Sequence, residues 1–165
     1  MAISGSRWRS RPNRPLTLTL TSTLAAATIG NSFISKEDLA WLQARRRPRM
    51  QISTSAFAVV GIAYYVIMGV VIYRSSDRRD STTTRLALVV LVLNEVWNVA
   101  FFGGRSTRNG FAGIVLFLIP LLRLQLSLRR DPTSAVVLAP YTTWVLCYDL
   151  PWTLRLWQLN RSRTG

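Results

Sequence analysis

Apolar residues along this chain gather into long, nearly unbroken blocks. They do not recur at the 3.6-residue period of a surface helix or the two-residue period of a strand. Five blocks stand out, at about 16–33, 53–73, 86–104, 110–128 and 133–154. The hydrocarbon layer of a bilayer takes about 20 apolar residues per helix, and every block is close to that length. Barrel strands would be shorter and would alternate with polar residues. A soluble domain of 165 residues cannot cover five such blocks with one core. The pattern therefore predicts an all-α integral membrane bundle of five transmembrane helices. It occupies residues 16–157, between a basic N-terminal tail (1–15) and a basic C-terminal tail (158–165).

The blocks are not equivalent. Thr17, Thr19, Thr21, Ser22 and Thr23 thin the first. Four arginines precede it, and Ala25-Ala26-Ala27 offers a small-residue cleavage site, so residues 1–35 also read as a signal or transit segment. A retained helix is expected. The fourth block holds Pro120, where a kink is expected, and Arg123, which is able to snorkel. Two acids fall inside blocks, Glu95 in the third and Asp149 in the fifth. An ionisable group inside a membrane span is costly unless neutral, paired or wet, so its default reading is functional. Arg123 and Arg155 are the candidate partners; a satisfied interhelical pair is the competing structural reading.

Charge reinforces the picture. Lys+Arg number 21 against 7 Asp+Glu, a net charge of +14, but the arginines sit between the blocks, as headgroup and loop chemistry requires. A basic stripe for nucleic acid is therefore not expected, nor is nucleic acid as a partner. About ten basic residues fall on each side of the expected bundle, too even a split to orient it. With no histidine and one cysteine, Cys147, a metal centre, a disulfide framework and His-based catalysis are all excluded. Cys147 itself reads as a small buried hydrophobe.

Leu93-Asn94-Glu95-Val96-Trp97 with Phe101-Phe102, Pro140-Tyr141-Thr142-Thr143-Trp144, and Trp157-Gln158-Leu159-Asn160 resemble the motifs of the tryptophan-rich sensory protein family (TspO/MBR). That family includes the translocator protein, or peripheral benzodiazepine receptor. Trp41 and Pro48 match its first loop, and Phe57, Tyr65 and Gly69 fall on its second helix. The resemblance spans residues 41–160. It also has departures: Gly61 stands where the family has a tryptophan, Val90 where it has a glutamine, and Pro151-Trp152 where it has Leu-Asn. Glu95 and Asp149 replace small or apolar residues.

Membership would imply a receptor, sensor or carrier for tetrapyrroles (porphyrin, haem precursors) or sterol-like apolar ligands. The ligand would lie in an aromatic pocket among the helices, capped by the first loop. The resemblance assigns Trp41, Phe57, Asn94, Trp97, Phe101, Tyr141, Trp144 and Tyr148 to ligand binding, with Trp8, Trp152 and Trp157 left to structural roles. Aromatic faces suit a planar ligand, and a few polar groups orient it. No cofactor is required; porphyrin or haem enters as ligand, and a haem iron would have only tyrosines, Cys147 or Met68 as axial candidates. The first alternative is light-dependent porphyrin degradation with Trp144 as candidate catalytic residue, marked down because Gly61 removes a second indole. The other alternative is a proton-coupled transporter using Glu95 and Asp149. The implied partners are the lipid bilayer, the ligand and, optionally, a second copy. The implied location is multi-pass, in a prokaryotic cell membrane before an organelle membrane.

Overall fold

The computed structural model describes residues 13–32 and 34–161. Most of both basic tails, with Trp8, and the end of the first block at Phe33 lie outside the described residues. Helices account for nearly all the rest: α1 (Arg14–Ser32), α2 (Lys36–Gln43), α3 (Thr54–Asp77), α4 (Ser81–Asn98), α5 (Thr107–Ser127), α6 (Pro132–Trp144) and α7 (Leu150–Asn160). Two π-helical turns interrupt this order. Val99–Gly103 extends α4, and Val145–Asp149 joins α6 to α7. There is no strand among the described residues.

Side chains in the connections set where these helices begin. Ser53 accepts from the Ala56 amide, Asp80 from Thr83 and Ser106 from Asn109, which satisfies first-turn donors that have no helical partner. Pro132 opens α6, where its missing N–H costs nothing. The caps lie beyond the apolar blocks, so α3 and α4 run several residues past the block ends expected at 73 and 86. α1 packs on α3 and α4, α4 on α5, α3 on α6, and α5 on α7. Between them lies a dry core that includes Met68, Val71, Ile72, Val90, Leu121, Leu124 and Leu138, none with accessible surface.

The outer surface is apolar too. Val59, Ile62 and Val66 form an outward stripe on α3, each more than 60% exposed, and Leu116 and Val136 are exposed to a similar degree. Water would penalise such a surface, whereas hydrocarbon does not. Three helices among the described residues are long and apolar enough to cross a membrane: Thr54–Asp77, Ser81–Gly103 and Thr107–Arg130. The other two expected spans differ for physical reasons. α1 is threonine-rich, although several of its hydroxyls bond within the helix, Thr21 on Thr17 O at 2.8 Å and Thr23 on Thr19 O at 2.7 Å, while the buried Thr19 hydroxyl has no partner. The fifth block is divided by the π turn before Pro151, whose missing N–H already breaks the helical ladder there.

At the end of the bundle away from α2, Arg74 and Arg78 both reach Asp131, at 2.8 Å and 3.2 Å. The hydrogen bond from Arg74, with help from Ser134, holds the Asp131 carboxyl well below the ordinary carboxylate range. At the opposite end α2 forms a lid. Ser35 and Asp38 close a capping box, and Asp38 receives Arg105 Nε at 2.9 Å. Ser35 and then Arg105 depress the Asp38 carboxyl. Asn160 at the end of α7 clasps Arg46, accepting from its amide and donating to its carbonyl, both at 3.1 Å. The first loop is thereby tied to the last helix.

Candidate functional site

Beneath that lid is a cavity of about 650 Å³. Its walls come from α3 (Phe57, Gly61, Tyr64, Tyr65), α4 (Asn94, Trp97, Asn98), α5 (Ile114, Phe117) and the α6–α7 rod (Tyr141, Trp144, Asp149, Trp152), while Leu39, Leu42, Gln51 and Ile52 close the top. Gly61 enlarges it: a Cβ there would meet nothing within 4 Å.

The π turns arrange the aromatic end. In a regular α-helix residues five apart point in different directions; the wider turn Val145–Asp149 brings Asp149 back over Trp144, and the indole Nε1 donates to Asp149 Oδ1 at 3.1 Å. Tyr148 stacks on Trp144 with ring centroids 4.4 Å apart and lies parallel to Trp152 at 6.3 Å. Its hydroxyl accepts from the Ile52 amide at 2.9 Å, pinning the loop. The other π turn buries Phe101 completely, stacked on Trp97 at 5.2 Å, with Trp41 edge-on at 5.7 Å. Trp97 is held by its own donor bond to Gly110 O at 2.9 Å.

Polar groups cluster deeper. Glu95, 6% exposed, accepts from Tyr65 Oη at 2.9 Å, Asn94 Nδ2 at 3.2 Å and Asn98 Nδ2 at 3.1 Å, and Tyr141 Oη donates to Asn94 Oδ1 at 3.3 Å. Neither acid meets an arginine among the described residues: Arg155 contacts Gln158, and Arg123 is exposed. The expected pairings with Arg123 and Arg155 are thus replaced by neutral hydrogen-bond donors, because both arginines point away from the bundle interior. Glu95 also borders a second groove of about 590 Å³ between α1 and α4.

Of the residues singled out from sequence, Phe57, Asn94, Trp97, Tyr141, Trp144 and Asp149 line the main cavity. Trp41, Phe101 and Tyr148 stand behind that lining and brace it. Trp152, read as structural, is 1% exposed, lines the cavity, and has an indole Nε1 without a hydrogen-bond partner. Trp157 stacks on Phe111 at 5.5 Å, outside the cavity. Cys147 is exposed on the bundle exterior, contrary to the buried position expected, since lipid contact satisfies an apolar side chain as well as a core does. Met68 is sealed in the core, so neither sulfur lines the cavity. Tyr64, Tyr65, Asn98 and Phe102 join the lining without having been assigned to the site, although Tyr65 and Phe102 stand in the family motifs. Asn98 had a readable signal, standing one helical turn from Asn94; Phe102 stood beside Phe101 in the motif, but the π turn that rotates it to the cavity leaves no mark in the residue pattern.

Comparison with known proteins bears on this arrangement. The sequence model of the TspO/MBR family matches residues 18–150. The chain is also similar to the Tryptophan-rich protein TspO of Archaeoglobus fulgidus, with 22% identity over 134 residues, covering 79% of this chain and 88% of that protein.

Proposed function

The chain belongs to the TspO/MBR family, and from that premise we propose that it is a five-span protein of a prokaryotic cell membrane that binds a flat apolar ligand, a tetrapyrrole first and a sterol-like molecule second. Membership and the apolar helices make it a membrane protein of the sensing and binding kind. The finer reading takes α1 and the α6–α7 rod as the outer two spans. α1 packs on α3 and α4, the rod packs on α3 and α5, and hydroxyls such as those of Thr21 and Thr23 are bonded within the helix.

The observation that carries the ligand reading is the cavity. It is large, walled by apolar side chains with nine aromatic rings among them, closed by a tied-down loop, and supplied with a few convergent polar groups, the features of a site for a rigid planar molecule. The test is a titration of protoporphyrin IX into the protein in phosphatidylcholine nanodiscs, read by tryptophan quenching and the Soret band. Saturable binding is expected. Phe57→Ala removes an aromatic ring from the cavity wall and is expected to weaken binding several-fold while the far-ultraviolet spectrum is unchanged. Quenching no greater than in empty nanodiscs, or affinity indifferent to Phe57→Ala, would refute the reading.

A further inference from the structure

We propose that the cavity selects ligands carrying a protonated amine, with Asp149 as the counter-ion; this rests on the reading above that the cavity takes a flat apolar body. Asp149 is the acid of the main cavity's lining, and among the described residues that lining holds no lysine or arginine. The carboxylate has one hydrogen-bond partner, Trp144 Nε1 on Oδ1 at 3.1 Å. An ionised carboxylate has room for about four hydrogen bonds. In an apolar space with one neutral donor it lacks compensation, which is costly unless a positive charge arrives.

The contrast with Glu95 makes the point. Glu95 is answered from three sides by Tyr65, Asn94 and Asn98, so most of its bonding capacity is met within the protein. Asp149 is held in place by Trp144 on one side and left unanswered on the other. Its surroundings suit a cation in a second way. Trp144, Tyr141 and Trp152 line the same cavity, and aromatic faces attract an ammonium group through their quadrupoles, most strongly where water is excluded. Aromatic walls with one under-bonded carboxylate are the chemistry of ammonium recognition. A carboxylate placed against Asp149 would instead meet repulsion, so a propionate-bearing tetrapyrrole would have to seat with its propionates turned away from it.

Three fluorescent probes with one ring system separate charge from shape: 9-(aminomethyl)anthracene (cationic), 9-methylanthracene (neutral) and anthracene-9-carboxylate (anionic). Each is titrated at pH 7 into the protein in zwitterionic phosphatidylcholine nanodiscs, with empty nanodiscs subtracted. The expected order is cation, neutral, anion, with the cation at least tenfold tighter than the neutral probe. Asp149→Asn should collapse that ratio to about one, and Asp149→Glu, which keeps the charge, should retain a ratio above one. Equal affinity for cation and neutral probe in the wild-type protein, preference for the anion, or a ratio unmoved by Asp149→Asn overturns the inference while leaving the cavity reading intact. Failure of all three probes to bind saturably sinks both. The wild-type ratio alone decides the matter should the variants not fold.

Discussion

Gly30→Ala is expected to destabilise the protein by about 1–4 kcal/mol, although alanine is the better helix former, and the reason lies in Glu95. A Cβ at Gly30 would collide with Glu95 Oε2 and stand 2.8 Å from Tyr65 Oη. The carboxyl must then move, which puts at risk the bonds from Tyr65 (2.9 Å) and Asn98 (3.1 Å). Hydrogen bonds to a charged group contribute about 1.5–3 kcal/mol each, and neutral ones about 1. Against the loss of one or two of them stands a gain of roughly 0.5–1 kcal/mol from replacing glycine inside a helix. The sign should reverse when the obstacle is removed. In a Glu95→Ala background the carboxyl is gone and Tyr65 Oη, no longer held by it, is free to turn aside, so Gly30→Ala should stabilise by about 0.5–1 kcal/mol, the bare helix-propensity effect. The assay is a double-mutant cycle on unfolding in mixed detergent micelles, four proteins under one condition. A coupling below about 0.5 kcal/mol, or Gly30→Ala neutral in the wild-type background, would show that α1 and α4 approach loosely at Glu95 and refute the reasoning.

Two further outcomes follow from the ends of the bundle. Asp131 is held below the ordinary carboxylate range by Arg74, so its contribution is present above the unfolded value near pH 4 and is lost as pH falls below that. Asp131→Asn should therefore cost about 1–2 kcal/mol at pH 7, discounted because Arg74 is partly exposed, and should flatten the acid limb of a thermal-melt series from pH 6 to 3; a variant with an unchanged acid limb would contradict the assignment. Asn160→Ala removes both bonds to Arg46, and hydrogen exchange across residues 45–52 should speed up several-fold while exchange in α3 and α5 stays the same. Uniform acceleration would mean that Asn160 supports the whole bundle and not the lid alone.

How much of this was legible beforehand depends on which physical signal each feature leaves. The spans at α3, α4 and α5 announce themselves because hydrocarbon demands long apolar runs, and no tertiary detail can hide that demand. α1 announces itself poorly, since hydropathy counts a threonine as polar even where its hydroxyl bonds to the carbonyl four residues back, as Thr21 and Thr23 do. Motif spacing carried Asn94, Trp97, Tyr141 and Trp144 to one cavity, because positions three or four apart on a helix share a face. The same logic fails wherever the ladder widens. A face drawn through Trp97 and Phe101 assumes 3.6 residues per turn, yet the π turn Val99–Gly103 packs Phe101 behind the wall and turns Phe102 to the lumen.

The α6–α7 rod shows what that irregularity achieves. Regular geometry would point Asp149 away from Trp144, leaving a carboxyl on another face, where lipid would force its neutralisation. The extra residue of the π turn instead keeps Trp144, Tyr148, Asp149 and Trp152 together around the lidded end of the cavity. A proline at 151 makes the widening tolerable, since the ladder has already lost a donor there. Replacing Pro151 by alanine would restore that donor but not remove the surplus residue, so the acid should stay over Trp144. Deleting one residue within Val145–Tyr148 should instead rotate α7 by about a quarter turn and carry Trp152 off the lumen. The two changes thus separate the contribution of the proline from that of the π turn: an environment-sensitive blue shift of tryptophan emission should survive the first and be lost with the second.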